Sequence, residues 1–381
     1  MISIALIGST GSIGRQVCNV VARYPDKFRF SALIAHTNAI VLAEQAEKFH
    51  PARAVLTNEA AFKNMPSVSG VAFSAGEENA LSCIEDCDVA FIAATGFAGL
   101  KYSLKAIESG KRIALANKET LVCGGELVTA KVKEKKVDLI PVDSEHSALW
   151  QALHFDRAAE YEKLIVTASG GPFYGYTKEQ LKNVSVRDAL RHPTWKMGAK
   201  ITVDSATLLN KGFEVIEAKW LYAAPFEKIE TVVQPESVIH SMVAFADGSV
   251  LAQMSYPTME VPIQLALTYP ERWKTDLKPL NFASLGELRF LPLRRKDFPC
   301  YDLALTAGEK GDNYPCALNA AGEVAVGAFL REEIGFTNIA EIIEETLTRT
   351  ERARVSGYES LCETDGKARR EAEEIIKHVR Y

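Results

Sequence analysis

The chain has 381 residues, which is enough for two or three domains with separate cores. Hydrophobic residues make up 47% and charged residues 24%, an ordinary composition for a globular protein. The net charge of −5 argues against a large nucleic-acid interface, because such a surface needs a basic face. No apolar run reaches about 18 residues, so we expect no membrane span and no membrane partner.

The cysteines and the first residues indicate a cellular compartment. Seven cysteines are scattered along the chain, an odd number that fits reduced thiols better than a disulfide framework or a zinc site. A predicted strand starts at Ile2 and reaches Gly8 at once, which leaves no room for a signal or transit peptide. We therefore expect a cytoplasmic protein.

The first 140 residues alternate short apolar runs with helical patterns, which is typical of a parallel sheet wound with helices. The predicted strands are 2–7, 30–35, 89–94, 112–116 and 138–142. Each run ends in polar or glycine-rich residues, where doubly wound folds bind their ligands. The fold class is therefore α/β, with an N-terminal doubly wound parallel-sheet (Rossmann-like) domain over 1–143.

The pattern changes after this domain. Further strands are predicted at 163–167, 229–233, 237–245 and 250–255, the last two joined by an Asp247-Gly248 turn. We predict a central α+β domain over 144–270, a proline-rich connector over 271–300 and a C-terminal α-helical domain over 301–381. Within the last domain, 318–330 and a charged segment from Lys367 are the predicted helices.

A glycine-rich segment, GSTGSIG (8–14), follows the first predicted strand and precedes a helical run. Glycines allow a tight turn and let backbone N–H groups approach a pyrophosphate, although the same pattern also occurs in plain turns. After the second strand come His36, Thr37 and Asn38, with no acidic residue for a ribose 2′-hydroxyl. Polar neutral donors suit a 2′-phosphate better, so the pattern favours NADP.

Two further strand ends carry chemistry. Asn117-Lys118-Glu119 follows one of them, and its lysine is either a binding residue or a solvated charge. Asp143 and Glu145 follow another and project to the same side if the backbone stays extended. With Glu214 they would give three hard oxygen ligands for Mg²⁺ or Mn²⁺, whereas the alternative is that they only cap helices.

The segment 192–218 holds a predicted anion grip. Asp204 or Ser205 can cap a helix there, and Lys211 adds positive charge near the helix start. Asn210 and Glu214 lie four residues apart and share one helix face. This combination favours, as the ligand, a small molecule that carries a phosphate and chelates a metal ion.

Two loops complete the predicted site. Residues 168–172, reading ASGGP, can form a second anion nest. His192 precedes Pro193, so its backbone should be extended, and a surface loop is the alternative to a functional role. Trp195 and Met197 either pack inward or form a lid over the substrate.

With these motifs in order, the chain resembles the 1-deoxy-D-xylulose 5-phosphate reductoisomerases, enzymes of the methylerythritol phosphate route to isoprenoids. The resemblance covers essentially the whole chain. It rests on GSTGSIG (8–14), ANKE (116–119), VDSEHSA (142–148), ASGGPF (168–173), HPTWKMGAKITVDSAT (192–207), NKGFEVIEA (210–218) and SVIHSM (237–242).

The resemblance implies a homodimeric oxidoreductase that uses NADPH and Mn²⁺, Mg²⁺ or Co²⁺ on a phosphosugar substrate. The implied metal ligands are Asp143, Glu145 and Glu214. The implied substrate contacts are Lys118, Ser144, Glu145, Ser169, His192, Ser205, Asn210, Lys211 and Glu214, of which Lys118, Glu145 and His192 are candidates for catalysis. The cofactor contacts are predicted at Thr10, Gly11, Ser12, Ile13, His36, Thr37, Asn38, Asn117, Glu119 and Gly198. Trp195 and Met197 match a flap over the substrate, and the general acid–base is Glu145, Lys118 or a metal-bound water.

The chain departs from the family pattern at Thr37, where many members carry a basic residue, and at Gln234, where members often have histidine. Two other functions remain open on sequence grounds. One is a metal-free NADP-dependent dehydrogenase of phosphorylated sugars, and the other is a nucleotide-sensing regulatory protein without turnover.

Overall fold

The computed structural model describes residues 1–155 and 160–379 and divides into two compact units. The first unit consists of Met1–Thr120, Val128–Ser147 and Met259–Asp276. The second unit consists of Leu121–Leu127, Ala148–Thr258 and Leu277–Tyr381. Along the described ranges no helix is both long and apolar enough to cross a membrane.

The strands form one sheet in each unit. They are β1 (Ile2–Ile7), β2 (Phe28–Ala35), β3 (Arg53–Leu56), β4 (Ala72–Ala75), β5 (Val89–Ile92), β6 (Arg112–Leu115), β7 (Leu139–Pro141), β8 (Lys163–Ala168), β9 (Ile229–Val233), β10 (Ile239–Ala244) and β11 (Val250–Met254). The helices are α1 (Ser12–Arg23), α2 (Ala39–Phe49), α3 (Glu59–Phe62), α4 (Glu77–Ser82), α5 (Gly99–Glu108), α6 (Glu119–Lys135), α7 (Ser144–Ala152), α8 (Lys178–Leu181), α9 (Val186–Ala189), α10 (Ala199–Ala206), α11 (Leu209–Leu221), α12 (Glu260–Thr268), α13 (Phe282–Leu285), α14 (Cys300–Lys310), α15 (Tyr314–Leu330), α16 (Asn338–Arg349) and α17 (Tyr358–His378).

The first unit is built on a parallel seven-stranded sheet with the order β4-β3-β2-β1-β5-β6-β7. Its central strands are continuous apolar runs, such as Ile4–Ile7, because helices cover both faces of a wound parallel sheet. The chain moves outward from β1 to β4 and then returns to β5 beside β1. This reversal of strand order is the point where doubly wound folds bind ligands, and the predicted Rossmann-like domain is confirmed.

The second unit combines a mixed four-stranded sheet, in the order β11-β10-β8-β9, with a helical core. β8 and β9 are parallel, and β10 runs antiparallel to both β8 and β11. Helices α11, α14, α15, α16 and α17 share a core of fully buried side chains that includes Phe213, Leu318 and Ile343. The predicted combination of an α+β region and a helical C-terminal region is confirmed.

The predicted start of the final helix at Lys367 is wrong. α17 begins at Tyr358, and its buried residues Leu361, Thr364 and Ala368 follow a helical spacing of three and four residues. Packing of this stripe stabilises the helical conformation of the polar sequence before Lys367, including Gly366.

Candidate active site

The glycine-rich segment lies at the reversal point between β1 and β5. Gly8 has φ +85°, and a Cβ there would lie 2.4 Å from the carbonyl oxygen of Ala93. A Cβ on Gly14 would lie 2.3 Å from the carbonyl oxygen of Gly8. Both contacts are with backbone atoms, so only glycine fits, and Gly11 then precedes the first turn of α1. The predicted contacts Thr10, Gly11, Ser12 and Ile13 therefore surround a helix N-terminus suited to a pyrophosphate.

The end of β2 presents the three residues predicted near a 2′-phosphate. His36, Thr37 and Asn38 are all exposed. The Nδ1 atom of His36 lies 2.8 Å from Oγ1 of Thr57, and Asn38 caps α2 by accepting a hydrogen bond from the Val41 amide. The role of these three residues in the selection of NADP stays a prediction.

Asn117 organises the loop after β5 rather than standing open to a ligand. It is 2% exposed, and its Nδ2 donates to the carbonyl oxygens of Ala94 and Gly96 and to Glu119. Its Oδ1 accepts hydrogen bonds from the amide and the hydroxyl of Thr120. Glu119 in turn accepts a hydrogen bond from the Gly96 amide. The predicted cofactor contacts Asn117 and Glu119 thus shape the loop beside the glycine-rich segment.

Lys118 forms a buried ion pair, so a solvated surface charge is the wrong interpretation of this residue. Its Nζ lies 2.9 Å from Oδ2 of Asp143, with 10% and 12% of the two side chains exposed. Nδ1 of the fully buried His146 lies 3.4 Å from the same oxygen. Burial alone would raise the pKa of Asp143, but the charge of Lys118 and the hydrogen bond from His146 lower it well below its usual range. Asp143 is therefore held as a carboxylate.

The backbone does not stay extended from Asp143 to Glu145, because α7 begins at Ser144. The Ser147 amide donates to the Asp143 carbonyl, which closes the first helical turn. Glu145 therefore stands in that turn, and the Ser144 hydroxyl donates to its Oε2 at 2.5 Å. Helix geometry, not strand alternation, sets the direction of the two carboxylates.

In the second unit, the loop 168–172 and His192 form one hydrogen-bonded group. Gly170 and Gly171 have φ +86° and +69°, which makes the loop tight. Nδ1 of His192 accepts the backbone N–H groups of Thr194, at 3.2 Å, and Trp195, at 3.0 Å. The imidazole proton therefore sits on Nε2, which donates to Oγ of Ser169 at 2.9 Å. Burial lowers the pKa of His192 to about 4, so the ring is neutral at pH 7.

The predicted flap, residues 192–198, forms neither helix nor strand and ends at Gly198, where α10 begins. Trp195 and Met197 are half-buried. The ring of Trp195 lies 6.0 Å from that of His240, edge to face. His240 is itself held at Nε2 by the hydroxyl of Ser255, at 2.9 Å.

The expectation that Asp204 or Ser205 caps a helix is wrong. Both lie inside α10, and α11 starts after Leu208, which has φ +60°. Among the described residues no side chain caps α11. The left-handed residue at 208 splits what the sequence presents as a single helical run into two helices.

The α11 residues do share one face, as predicted. Nδ2 of Asn210 donates to Oε1 of Glu214 at 2.5 Å. Lys211 donates to the other oxygen of Glu214 and to the carbonyl of Thr167 on β8. Lys211 is 4% exposed and Glu214 is 1% exposed, so this is a buried ion pair. The sequence analysis assigned neither Thr167 nor His146 to the site. For His146 the available signal was its spacing of three residues from Asp143, which fits one helical turn.

Family models match most of the chain. A 1-deoxy-D-xylulose 5-phosphate reductoisomerase model matches residues 4–125, and two models of its C-terminal domains match residues 139–222 and 254–371. Two relatives of that name are similar over almost their full length. The protein of Chloroherpeton thalassium is 45% identical over 96% of both chains, and that of Phocaeicola vulgatus is 46% identical over 98% of both.

The chain belongs to the 1-deoxy-D-xylulose 5-phosphate reductoisomerase family. Solved structures of the family agree with this fold. The Zymomonas mobilis enzyme in complex with NADPH has a TM-score of 0.92 at 38% identity, covering 99% of this chain and 100% of that one. A family complex with NADPH, fosmidomycin and magnesium has a TM-score of 0.91 at 36% identity, covering 99% and 98%. The family assignment made from the ordered motifs is confirmed.

Proposed function

We propose that this chain rearranges 1-deoxy-D-xylulose 5-phosphate and reduces the product with NADPH to 2-C-methyl-D-erythritol 4-phosphate, a step of isoprenoid biosynthesis. The observation that carries the proposal is full-length similarity to family structures that hold NADPH, fosmidomycin and magnesium. The buried ionic groups described above are the kinds of residue that this chemistry requires.

The glycine-rich segment is the proposed seat of the NADPH pyrophosphate. Gly8 and Gly14 leave room for close backbone approach, and the start of α1 supplies N–H donors. His36, Thr37 and Asn38 follow β2, where the 2′-phosphate would lie in a doubly wound fold. Because none of the three carries an acidic group, none repels that phosphate. Gly198 is proposed as a further contact from the flap.

Asp143, Glu145 and Glu214 are the proposed ligands of the divalent cation. The donor set fits the ion: all three offer carboxylate oxygens, which Mg²⁺ and Mn²⁺ prefer. The lowered pKa keeps Asp143 in the charged form that a cation requires. When bound, the ion supplies Lewis acidity that polarises the ketone and acidifies a neighbouring hydroxyl.

The phosphate grip is proposed at Ser169, Ser205, Asn210 and Lys211. Ser169 already accepts hydrogen bonds from His192 and from the Gly171 amide, at 2.9 and 3.3 Å. Its own hydroxyl proton is then directed to a further acceptor, such as a phosphate oxygen. Lys211, which donates to the carbonyl of Thr167 on β8, adds a buried positive charge in the same unit. The grip holds the substrate while its carbon–carbon bonds rearrange.

His192 acts in this proposal as a hydrogen-bond donor, because its proton is fixed on Nε2 and its Nδ1 is already an acceptor. Proton transfer is left to Glu145 and Lys118. Ser144 donates to Glu145 and so fixes the orientation of that carboxylate. Trp195 and Met197 form the flap that excludes water during the reaction.

A direct assay tests the activity. Purified protein given 1-deoxy-D-xylulose 5-phosphate, Mn²⁺ and NADPH should consume NADPH, and a chelator should stop the reaction until metal is restored. Activity that survives the chelator would point to a metal-free dehydrogenase. Cofactor binding without turnover would instead point to a nucleotide sensor. Repeating the assay with NADH measures how strongly this protein, with Thr37 where many family members have a basic residue, prefers NADPH over NADH.

We also propose a homodimer in the cytoplasm. β11 is an edge strand of the second sheet, and its Val250 and Leu251 are 50% and 41% exposed. An exposed edge strand with apolar side chains is a template on which another chain can pair. All seven cysteines are free thiols, which suits a reducing compartment. Light scattering should give the dimer mass, and Leu251→Glu should lower it to that of one chain. Fractionation of the source cells tests the location.

A further inference from the structure

Helix α10 connects the predicted flap to the proposed phosphate grip within the second unit. It starts where the predicted flap ends, and it contains Ser205 of the proposed phosphate grip. A Cβ on Gly171 would lie 3.1 Å from the Ser205 carbonyl oxygen, so the loop 168–172 packs directly against the end of α10. The left-handed Leu208 separates α10 from α11. A small rotation of α10 would therefore displace both Ser205 and the loop 168–172, which carries Ser169 of the proposed phosphate grip.

Charged side chains lie along α10 and along the C-terminal helices α15 and α17, and α10 packs on α15. We call Lys200, Asp204, Glu323, Arg369 and Asp365 the charge network. Nζ of Lys200 lies 2.8 Å from Oδ2 of Asp204, a side chain that is 2% exposed. On α15, Glu323 accepts hydrogen bonds from Asn319, at 3.1 Å, and from Arg369 of α17, at 2.6 Å. Arg369 also holds Asp365 at 2.7 and 2.9 Å.

The two halves of the charge network influence each other electrostatically. Burial would raise the pKa of Glu323, but the charges of Lys200 and then Arg369 lower it below its usual range. Glu323 is therefore bound to α17 through Arg369 and lies in the field of Lys200 on α10, the helix that packs on α15. Loss of either cation would leave a partly buried carboxylate with less compensation.

Stability alone does not explain this arrangement. Val203 and Ala206 already anchor α10 in the apolar core. Burying charges is costly, and apolar replacements of buried ion pairs are often neutral or stabilising, so such pairs are better suited to fixing a geometry. Lys200 has a second effect, because it neutralises Asp204, the residue before Ser205. Without Lys200, the negative charge of Asp204 would oppose the phosphate proposed at Ser205 more strongly.

We propose that Lys200, Glu323 and Arg369 are positioning residues for the phosphate grip, so that the C-terminal helix α17 helps to orient Ser205 through α15 and α10. The inference rests on the proposed function, since it assigns the grip to the substrate phosphate. It gives residues of the helical C-terminal region a part in substrate binding without contact with the substrate.

The decisive comparison is between two arginines that both tie α17 to a neighbouring helix. Arg369 pairs with Glu323 of α15, whereas Arg349 of α16 pairs with Glu371 of α17 and with Glu345 on the surface. Arg369→Met should raise the KM for the phosphosugar and the dissociation constant of inorganic phosphate about tenfold, a coupling of usual size. The KM for NADPH should stay unchanged. Arg349→Met should change none of these constants, and Arg369→Lys should recover most of the loss.

Two more variants keep the test valid if Arg369→Met does not fold. Glu323→Gln preserves the shape of that side chain and should weaken phosphate binding in the same way. Lys200→Met should weaken it as well, and adding Asp204→Asn should restore part of the affinity. A lower melting temperature with unchanged phosphate binding would overturn the proposal and leave a purely structural network. Calorimetric binding of inorganic phosphate needs no turnover, so an inactive parent would refute the proposed function while the variant comparison still decides this inference.

Discussion

At the scale of single residues, His192 illustrates how hydrogen bonds fix the part that a side chain can play. Two backbone N–H groups occupy Nδ1, and burial lowers the pKa to about 4. The protonated form is thus disfavoured in the folded chain relative to the unfolded one. The resulting stabilisation is complete above the ordinary histidine pKa of 6.5 and is lost as the pH falls toward 4.

The first prediction concerns this titration. In a pH series followed by NMR, the His192 ring should change protonation near pH 4. His192 should therefore cause no change of kcat/KM near pH 6.5, and the pH profile in that region should keep its shape in His192→Gln. The same variant identifies the resonance. A His192 midpoint between 6 and 7 would contradict the neutral, Nε2-protonated ring and the donor role argued for it.

The second prediction concerns the buried pair of Lys211 and Glu214. Lys211→Ala should raise the KM for the phosphosugar and also lower the free energy of unfolding by about 3 kcal/mol, because it leaves a buried carboxylate unpaired. Lys211→Met combined with Glu214→Gln should recover much of the stability but no activity. Thermal melts and steady-state kinetics separate the two effects. Equal stability of the single and double variants would argue against the pair.

Some site residues were predictable from spacing, and some were not. Asn210 and Glu214 lie four apart in a helix, so their contact follows from helix geometry alone. The same logic failed for Asp143 and Glu145, because sequence spacing does not say whether the strand continues or a helix begins. The ion pair of Lys118 and Asp143 joins residues from two strand ends, a long-range contact that local patterns do not encode.

At the scale of elements, the strands β1 and β9 were predicted with their observed bounds, whereas β3 and β4 were missed. Those two are four residues long, too short to show a period, and neither is as continuously apolar as the equally short β5. Their pairing with β2 and with each other, not their composition, makes them strands. The split between α10 and α11 escaped prediction because Leu208 gives no local signal for a left-handed backbone.

The third prediction belongs to the glycine-rich segment and α1. Gly14→Ala would place a Cβ against the carbonyl oxygens of Gly8 and Ser9, at 2.3 and 2.4 Å, which the backbone cannot relieve cheaply. We expect NADPH affinity to fall more than about tenfold and stability to fall by about 2 kcal/mol. Gly175→Ala is the matched control, since nothing lies within 4 Å of that position. Unchanged NADPH binding in Gly14→Ala would exclude this loop as the pyrophosphate seat.

At the scale of the whole molecule, the chain does not finish one unit before it starts the other. The segment Met259–Asp276 belongs to the first unit although all four strands of the second unit's sheet precede it. α12 packs on α1, where Arg23 pairs with both Glu260 and Asp276. No local sequence pattern predicts that the chain returns to the first unit here. The apolar face of α12 carries no feature that specifies which of the two cores it joins.

The fourth prediction tests this return of the chain through Trp273. Its ring stacks on Phe28 with centroids 5.3 Å apart and meets Tyr24 edge to face at 5.4 Å. Trp273→Ala removes both contacts, so native-state hydrogen exchange should show α1 and α12 less stable by about 2 kcal/mol. Protection of α15 in the second unit should not change. Phe282→Ala, at a residue that is 67% exposed, should leave all three helices as they were. An equal loss of protection in α15 and α1 would mean that the two units unfold together, and that Met259–Asp276 does not serve the first unit alone.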